Sequence, residues 1–537
     1  MAGDPRGSRR RVTPQGLRDL LADGRELALL DVREEGAFSA GHLLTAVCLP
    51  RSRLELRLDG LVPRRATRVV LCDDDETLAG TAATVMRRLG YRDVTVLAGG
   101  VRAWQAAGFQ LFSGVNVPSK AFGEIVEHRC ATPRIGAAEL KARLDAGEDI
   151  VVLDSRPMSE YRVMNIPGAQ DCPGAELVYR VHEVVTRPET LVVVNCAGRT
   201  RSIIGAQSLI NAGLENKVVA LKNGTMGWHL AGLALEHGNT RHAPPPGPAA
   251  LAKARQAAAR VAARFGVKTL SAAEFDRMRE DTARTLYCFD VRSPEEYRTG
   301  HRAGFASAPG GQLVQATDQY MAVRNARAVL ADSDGVRATM TASWLLQMGW
   351  PEVYVLDGAG SDATLAQGDE AARVLGLEDA MLDEISVREL ERLIAADAAT
   401  VIDFATSSEY RDGHIPGAWF AIRARLRDGL ARIGDAKRFV FTSPDGTLAK
   451  LAALDASALT AVPMQVLQGG TTAWKAAGFP LERGASRLAA ETDDVWRKPY
   501  DRHAQIEQAM RDYLDWELAL VAQVEREEYL AFSLARS

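Results

Sequence analysis

Residues 191–201 read LVVVNCAGRTR, an apolar run that leads directly into a cysteine and then into a loop with glycine and arginine. An uninterrupted β-branched run of this kind is typical of a strand buried on both faces of a parallel sheet. From Arg201 to Ala212, isoleucines recur near helical spacing, and Gly213 follows as a stop signal. The segment therefore predicts a strand, a loop and a helix, with Cys196 at the carboxyl end of the strand, where the sites of α/β domains lie.

The same pattern is repeated four times along the 537 residues. Each copy opens with an Asp-led motif, and these motifs begin at Asp31, Asp154, Asp290 and Asp403. The loops that follow the central strand read CDDDET from Cys72, CAGRTR from Cys196, DSDGVR from Asp332 and SPDGTL from Ser443. An internal repeat is stronger evidence for the fold than any single local pattern. Within each copy, predicted strands alternate with predicted helices. The sequence therefore predicts four tandem α/β domains with parallel sheets.

We expect these domains at residues 8–115, 125–240, 267–376 and 380–485. Between the second and third, residues 241–266 combine a proline-rich linker with an alanine-rich helix signal. Residues 490–537 are expected to form a helical tail, because apolar side chains recur along them. We expect this tail to pack across domains of its own chain; the alternative is a subunit contact that would make the protein a homo-oligomer.

Composition excludes several classes of function. The net charge of −4 gives no reason to expect a nucleic-acid partner. No apolar run approaches the roughly 18 residues of a membrane-spanning helix, so no membrane partner is expected. The six cysteines include no CxxC pair, which argues against a disulfide framework and against a zinc site. We therefore expect a protein of the reducing cytoplasm.

The order of these elements resembles the rhodanese family of sulfurtransferases, in a tandem four-domain form. The resemblance rests on the Asp-x-Arg opening, the GHIPGA turn at residues 413–418, the strand that runs into a cysteine loop, and the glycine turn before a tryptophan such as Trp228. It implies a parallel five-stranded sheet flanked by helices in each domain. It also implies a thiosulfate sulfurtransferase without a cofactor, in which a loop cysteine carries sulfur as a persulfide. The donor would be thiosulfate or a persulfide, and the acceptor cyanide or a thiol.

Cys196 is the candidate nucleophile, because its neighbours favour a thiolate and an anionic donor. The start of the following helix can direct N–H groups at the sulfur, and Arg199 and Arg201 add positive charge. The predicted substrate-binding loop consists of Ala197, Gly198, Arg199, Thr200, Arg201 and Ser202. A buried structural cysteine is the alternative, but two arginines within five residues are unusual neighbours for a core thiol.

The loops of the other three copies depart from this pattern. Cys72 is expected in register with Cys196, but four acidic residues follow it and should repel an anionic donor. These acids could bind a cation, yet consecutive side chains cannot all face one ion, so we expect a solvated acidic loop and no metal. Asp332 and Ser443 stand in place of the cysteine and cannot carry a persulfide. A single active site in the second domain is therefore predicted.

Further residues are candidates for the pocket around this loop. Arg180 precedes the active strand, and the segment from Asn223 through Gly224 and Thr225 to Met226 lies at the carboxyl end of the next strand. The opening pair, Asp154 and Arg156, is expected to orient the loop rather than to react.

Two other functions stay open at this point. A sulfur carrier or scaffold would load Cys196 once and deliver the sulfur to a protein partner. A phosphatase of the related fold is the third choice, but the resemblance associates phosphatases with a seven-residue loop, and residues 196–201 make six.

Overall fold

The computed structural model describes residues 10–358, 365–370, 373–378, 380–502, 504–530 and 532–534. Each of the four repeats contains a parallel five-stranded sheet with flanking helices, which confirms the predicted α/β class. The chain divides into two compact units. The first unit comprises Met1–Leu17, Ala28–Val115 and Ala372–Trp496, and the second comprises Arg18–Leu27, Asn116–Ala371 and Arg497–Ser537. Repeat 1, apart from residues 18–27, and repeat 4 thus fall in the first unit, and repeats 2 and 3, numbered in chain order, fall in the second.

Repeat 2 shows how the fold places the cysteine loop. Its strand order is Arg134–Ile135, Val218–Leu221, Leu191–Asn195, Ile150–Asp154 and Gln170–Asp171. Its helices are Ala137–Asp145, Met158–Tyr161, Glu176–Val184, Thr200–Asn211 and Gly224–Leu230. The central strand, Leu191–Asn195, is buried at all five positions, as its β-branched composition predicts. Cys196 therefore follows the middle strand directly at the carboxyl edge of the sheet.

The other repeats have the same order of strands. In repeat 1 the sheet contains Arg11–Val12, Asp93–Leu97, Arg68–Cys72, Leu27–Asp31 and Val47–Cys48. In repeat 3 it contains Lys268–Leu270, Glu352–Leu356, Arg327–Ala331, Leu286–Asp290 and Ala306–Ser307. In repeat 4 it contains Glu384–Ile385, Met464–Leu467, Phe439–Thr442, Thr400–Asp403 and Trp419–Phe420. The shared order makes equivalent positions in the four loops comparable.

Helices cover both faces of these three sheets as well. Those of repeat 1 are Pro14–Ala22, Glu35–Ala40, Leu54–Leu61, Thr77–Arg88 and Gly100–Ala106. Those of repeat 3 are Ala272–Glu280, Pro294–Thr299, Gly310–Gln315 and Val336–Gln347. Those of repeat 4 are Val387–Ala395, Ser407–Asp412, Leu426–Ile433, Thr447–Ala456 and Gly470–Ala476.

Among the described residues of the second unit, three helices lie outside the repeat pattern. The alanine-rich signal forms helix Pro248–Phe265, which packs against helix Glu176–Val184. The tail forms helix Ile506–Val524, and it packs against helix Val117–Cys130, which the sequence patterns did not predict. Residue 125, where we expected the second domain to begin, lies inside that helix.

The tail helix uses its apolar face within its own chain. Its buried side chains are Ala509, Met510, Leu514, Glu517, Leu520 and Val524. Leu518 is its large hydrophobic residue that stays exposed. Across the described ranges, no helix combines the length and the apolar character needed to cross a bilayer.

Candidate active site

The register of the sheets identifies which residues are equivalent in the four loops. Asp154 pairs with Asn195 in repeat 2, and Asp31 pairs with Cys72 in repeat 1. Both Asn195 and Cys72 are the last residues of their strands. The prediction that Cys72 stands in register with Cys196 is therefore wrong. Cys72 occupies the last ladder position, and the residue equivalent to Cys196 is Asp73.

The next strand–helix connection supports the same alignment. The carbonyl of Cys196 accepts a hydrogen bond from the Thr225 N–H at 2.8 Å, and the carbonyl of Asp73 accepts one from Val101 at 2.7 Å. In repeat 3, Asp290 pairs with Ala331, so Asp332 takes the equivalent position there. In repeat 4, Ser443 takes it by the same register.

Cys196 lies in a turn between the central strand and helix Thr200–Asn211, and its side chain is only 2% exposed. Its Sγ–H donates to Ser202 Oγ at 3.5 Å, and the Ser202 hydroxyl donates to the Arg199 carbonyl at 2.8 Å. The thiol therefore faces the first turn of the helix that follows it.

Repeats 1 and 3 show what this turn can bind. The Asp73 carboxylate accepts hydrogen bonds from the N–H groups of Glu76, Leu78 and Ala79 at 2.7, 2.7 and 3.2 Å. In repeat 3, the Asp332 carboxylate accepts bonds from the amides of Gly335, Asp334 and Ala338. The start of the helix thus forms a cradle of amides for a negatively charged group.

In repeat 2 the position of the cradled carboxylate is taken by Cys196, at the start of helix Thr200–Asn211. Counted from Cys196, the N–H groups equivalent to those that bind Asp73 belong to Arg199, Arg201 and Ser202. A thiolate or a persulfide at Cys196 would occupy the place that a carboxylate fills in repeats 1 and 3.

The segment 223–226 holds the cysteine loop from the other side, as its position after the next strand predicts. The amides of Thr225 and Met226 donate to the carbonyls of Cys196 and Ala197 at 2.8 and 2.9 Å. Gly224 has a φ of +56°, and a Cβ there would lie 2.3 Å from the Cys196 carbonyl oxygen. Only glycine allows this close approach. Asn223 accepts a hydrogen bond from Arg199 at 3.2 Å.

Arg199 lies at the loop, but its charge is balanced by two carboxylates. Its Nε and Nη2 donate to the two oxygens of Glu124 at 2.7 and 2.6 Å, and Nη2 also donates to Glu127 at 2.5 Å. Arg199 and Glu124 are 3% and 1% exposed, so this is a buried ion pair. Burial raises the pKa of Glu124, and the hydrogen bonds and charge of Arg199 oppose that rise.

Arg201 is balanced in the same way. Its Nη1 and Nη2 donate to the two oxygens of Glu160 at 3.1 and 2.8 Å, and Lys498 lies 3.3 Å from the same carboxylate. Burial alone would raise the pKa of Glu160, but the charge and hydrogen bonds of Arg201 outweigh it and lower that pKa. Both loop arginines are therefore already paired with carboxylates, and neither is a free cation for an anionic sulfur donor.

Two helices outside the repeats cover the loop, and no motif pointed to them. Lys120 Nζ donates to Glu517 Oε1 at 2.9 Å and also to the Tyr513 hydroxyl. The Thr200 hydroxyl donates to the same Glu517 oxygen at 3.3 Å. A Cβ on Gly198 would lie 3.1 Å from Glu517 Oε2 and 3.5 Å from the Tyr513 ring. Tyr513 and Glu517 are four residues apart and therefore lie on one face of the tail helix. This spacing is the sequence signal that relates to the cover.

The apolar part of the cover packs on Met226. Met226, Met510 and Leu514 form a buried cluster, which Tyr500 and Tyr513 border. The tail helix therefore closes the cysteine loop with both charged and apolar side chains.

Asp154 and Arg156 form a buried two-point pair. Arg156 Nε and Nη2 donate to the two oxygens of Asp154 at 2.8 and 2.7 Å. The Asn195 amide also donates to Asp154, at 2.8 Å, and contacts the Thr225 hydroxyl at 3.0 Å. Through Asn195, the pair is connected to both segments that hold the loop.

Arg180 does not join this arrangement. Its Nε donates to Glu176 at 2.7 Å, and its Nη1 donates to the Ala243 carbonyl at 2.7 Å. Neither partner belongs to the cysteine loop. Arg180 instead links its own helix to the segment that leads into helix Pro248–Phe265.

The acidic loop of repeat 1 is not a cluster around one ion. Asp73 caps the helix, Asp74 pairs with Arg33 at 2.9 Å, and Glu76 pairs with Arg11 at 2.7 Å. Cys72, beside them, is fully buried, and burial together with the charge of Asp31 raises its pKa well above the ordinary value. Among the residues that the structure describes, no three His, Cys, Asp or Glu side chains are grouped to hold a metal.

Comparison with known proteins places this geometry in a family. The family model of the rhodanese-like domain matches residues 13–107, 136–231, 271–362 and 386–477, well over half of the chain. A crystal structure of a thiosulfate sulfurtransferase from Pseudomonas aeruginosa is 47% identical in sequence, and the match covers 98% of this chain and 99% of that chain with a TM-score of 0.95.

Relatives from Mycobacterium tuberculosis match shorter segments. The probable adenylyltransferase/sulfurtransferase MoeZ is 36% identical over 95 residues, which are 17% of this chain and 24% of that protein. An HTH-type transcriptional regulator is 27% identical over 218 residues, 41% of this chain and 88% of that protein. The four matched segments and the full-length structural likeness agree, and the chain belongs to the rhodanese-like family.

Proposed function

We propose that this protein is a thiosulfate sulfurtransferase with one active site, at Cys196 in repeat 2. The observation that carries the proposal is the amide cradle, which holds carboxylates in repeats 1 and 3 and whose equivalent position in repeat 2 is occupied by Cys196. The cradle favours a thiolate before the reaction and a persulfide anion after it. The full-length likeness to a thiosulfate sulfurtransferase supports thiosulfate as the donor.

The reaction proceeds in two displacements. The Cys196 thiolate attacks the outer sulfur of thiosulfate, the S–S bond of the donor breaks, and sulfite leaves with the bonding electron pair. The resulting Cys196 persulfide holds its terminal sulfur in the amide cradle. Cyanide or a thiolate then attacks that terminal sulfur, and Cys196 leaves as the thiolate, ready for another cycle.

The surrounding residues position this cysteine. Gly224, Thr225 and Met226 fix the loop through its carbonyls, and Arg199 and Arg201 tie it to Glu124 and Glu160. The Asp154–Arg156 pair orients the loop through Asn195. Repeats 1, 3 and 4 have Asp73, Asp332 and Ser443 at the position of the cysteine and serve as inactive domains of the same fold.

Intact-mass measurement tests the proposal directly. After incubation with thiosulfate and removal of excess donor, the protein should gain the mass of one sulfur atom, and addition of cyanide should remove it. Cys196→Ser should gain none, whereas Cys72→Ser should gain the same amount as the wild type. Mass gain in Cys196→Ser would place the sulfur elsewhere. Repeated release of sulfite with cyanide present would distinguish an enzyme from a carrier that loads only once.

We place this activity in the cytoplasm. All six cysteines are free, and a persulfide carrier needs its thiol kept reduced. Association into homo-oligomers through the tail is the alternative to packing within the chain, and light scattering of the full chain tests it.

A further inference from the structure

Arg156 has one donor that the Asp154 pair does not use. Its Nε and Nη2 bind Asp154, and Nη2 also donates to the Met164 carbonyl at 2.7 Å. Its Nη1 is buried and has no hydrogen-bond partner, and the whole side chain is 0% exposed. Buried donors are nearly always satisfied in folded proteins, and an unsatisfied one is costly. The unused Nη1 therefore marks a place for an acceptor.

Repeat 1 shows what lies at that place when it is filled. Arg33 is equivalent to Arg156, since its Nε and Nη2 bind Asp31 and its Nη2 also donates to a carbonyl eight residues later, that of Gly41. Its Nη1 donates to the carboxylate of Asp74 at 2.9 Å. Asp74 follows Asp73, so its equivalent in repeat 2 is Ala197. Ala197 carries a methyl group and supplies no acceptor to Arg156 Nη1.

The two loops thus differ at two adjacent positions. In repeat 1, Asp73 fills the amide cradle and Asp74 fills the acceptor position at the arginine. In repeat 2, Cys196 and Ala197 replace both carboxylates. The side chain of Asp74 is 48% exposed, so the position it occupies is open to solvent in that repeat. Repeat 1 therefore resembles the active loop with two anionic groups already bound.

The other arginines at the site offer no comparable donor. Arg199 donates through Nε to Glu124, through Nη1 to Asn223 and through Nη2 to Glu127. Arg201 forms a two-point pair with Glu160. Arg156 is the arginine of the described site whose Nη1 is buried and unmatched.

We propose that Arg156 Nη1 binds the oxyanion end of the sulfur donor, a sulfonate-like dianion such as thiosulfate, beside Ala197. This rests on the proposed function, and it makes Arg156 a substrate-binding residue in addition to an orienting one. When the S–S bond of the donor breaks, negative charge develops on the departing sulfite, and the Nη1 hydrogen bond to a sulfite oxygen stabilises it. The persulfide sulfur stays in the amide cradle, so each half of the donor has its own binding group.

A carboxylate placed at residue 197 tests the subsite without removing a buried charge. Ala197→Asp reproduces the pair of Arg33 with Asp74, so the variant should fold and should block the donor. Ala197→Asn adds nearly the same volume without a charge. We expect the KM for thiosulfate in Ala197→Asp to exceed that in Ala197→Asn by about tenfold. This is the effect expected when a charged hydrogen bond to the substrate is lost.

Arg156→Lys and Arg33→Lys form a second matched comparison. Both variants keep a cation near the paired aspartate and lose the Nη1 donor, but only Arg156 faces the cysteine loop. We expect Arg156→Lys to raise the KM for thiosulfate, with Arg33→Lys indistinguishable from the wild type. Equal kinetic constants in Arg156→Lys and Arg33→Lys, or equal KM values in the two Ala197 variants, would overturn the proposal.

A binding readout separates the subsite from the reaction. Sulfate, an unreactive dianion, should slow alkylation of Cys196 by iodoacetamide in a saturable manner, and this protection should disappear in Ala197→Asp. Protection that persists unchanged in Ala197→Asp would place the anion elsewhere and overturn the subsite. Absence of a Cys196 persulfide in the wild type would overturn the sulfurtransferase function, whereas the sulfate measurement would still report on Arg156.

Discussion

Asp73 and Cys196 stand at the same position of two repeats, one residue beyond the strand residue that pairs with the Asp of the opening motif. The Asp73 carboxylate accepts three amide hydrogen bonds there, and the thiol of Cys196 donates to the hydroxyl of Ser202, in the first turn of the helix that follows. Repeat 1 therefore has the anion cradle without the nucleophile. Substitutions in repeat 1 can serve as controls for the matching substitutions in repeat 2.

Alkylation rates should distinguish Cys196 from Cys72. At about pH 7, Cys196 should react with iodoacetamide faster than Cys72, because loop amides stabilise a thiolate at Cys196. Cys72 is fully buried, and burial and Asp31 raise its pKa. Peptide mass spectrometry gives the rate at each site, and the unfolded protein provides the control in which the two rates converge. Faster alkylation of Cys72 in the folded protein would reopen the choice of active domain.

The buried pair of Arg199 with Glu124 should be strongly coupled. Arg199→Ala leaves two carboxylates beside the loop without their cation, and loss of one partner of a buried pair typically costs about 3–5 kcal/mol. We expect this variant to lose stability and about ten- to hundredfold of its activity with thiosulfate. A double-mutant cycle with Glu124→Gln, followed by urea unfolding and kinetics, measures the coupling. Simple additivity of the two single effects would contradict it.

Gly224 should be required because the cysteine loop passes too close to its Cα for a side chain, and not only because its backbone φ is positive. A Cβ at Gly224 would lie 2.3 Å from the Cys196 carbonyl oxygen, whereas Gly232, with a φ of +74°, has nothing within 4 Å of a Cβ. Gly232→Ala should cost on the order of 1 kcal/mol of stability from its positive φ and leave activity intact. Gly224→Ala should displace the loop and abolish most sulfur transfer. Equal activity of the two variants would show that the loop tolerates the displacement.

The tail helix should control access to Cys196. Leu514 packs with Met226 and Met510 in the buried cover, and truncation of a buried leucine to alanine costs about 2–5 kcal/mol. Leu514→Ala should therefore loosen the tail and speed alkylation of Cys196 severalfold. Cys172 is fully buried in the core of repeat 2 and should show an unchanged rate. An unchanged rate at Cys196 would mean that reagents enter from another side.

Repeat 4 should become less stable as the pH rises. Ala405 replaces the arginine of the opening motif there, so Asp403 is buried without that partner, and burial raises its pKa from 3.8 to about 7. The folded state therefore binds a proton that the unfolded state releases between about pH 4 and pH 7. The contribution of Asp403 to stability is fully present below about pH 4 and is lost across that interval, a change of roughly 4 kcal/mol for a shift of this size.

Asp403→Asn should remove this dependence. The variant should match the wild type near pH 4 and be more stable above pH 7, measured by hydrogen exchange of strand Phe439–Thr442 at each pH. Asp154→Asn is the matched contrast: it should destabilise repeat 2 at neutral pH, because Arg156 then loses its charged partner. A variant Asp403→Asn that parallels the wild type at every pH would show that the carboxyl stays ionised.

Local patterns in the sequence determined much of this protein. The β-branched run before Cys196 required a strand buried on both faces, and the isoleucines after Arg201 required a helix. Because the carboxyl ends of neighbouring parallel strands meet at one edge, the contact of Thr225 with the loop was also predictable.

Only the tertiary structure decided the register and the partners of the charges. The alignment of Cys72 with Cys196 differs from the true one by a single residue, and the pairing of Asp31 with Cys72 across two strands settles it. Glu124, Glu160 and Glu517 reach the loop from segments far away in the chain, and no spacing rule connects them to Cys196. Hydrophobic periodicity specifies each strand and helix locally, whereas strand register and buried ion pairs form only when distant segments pack together.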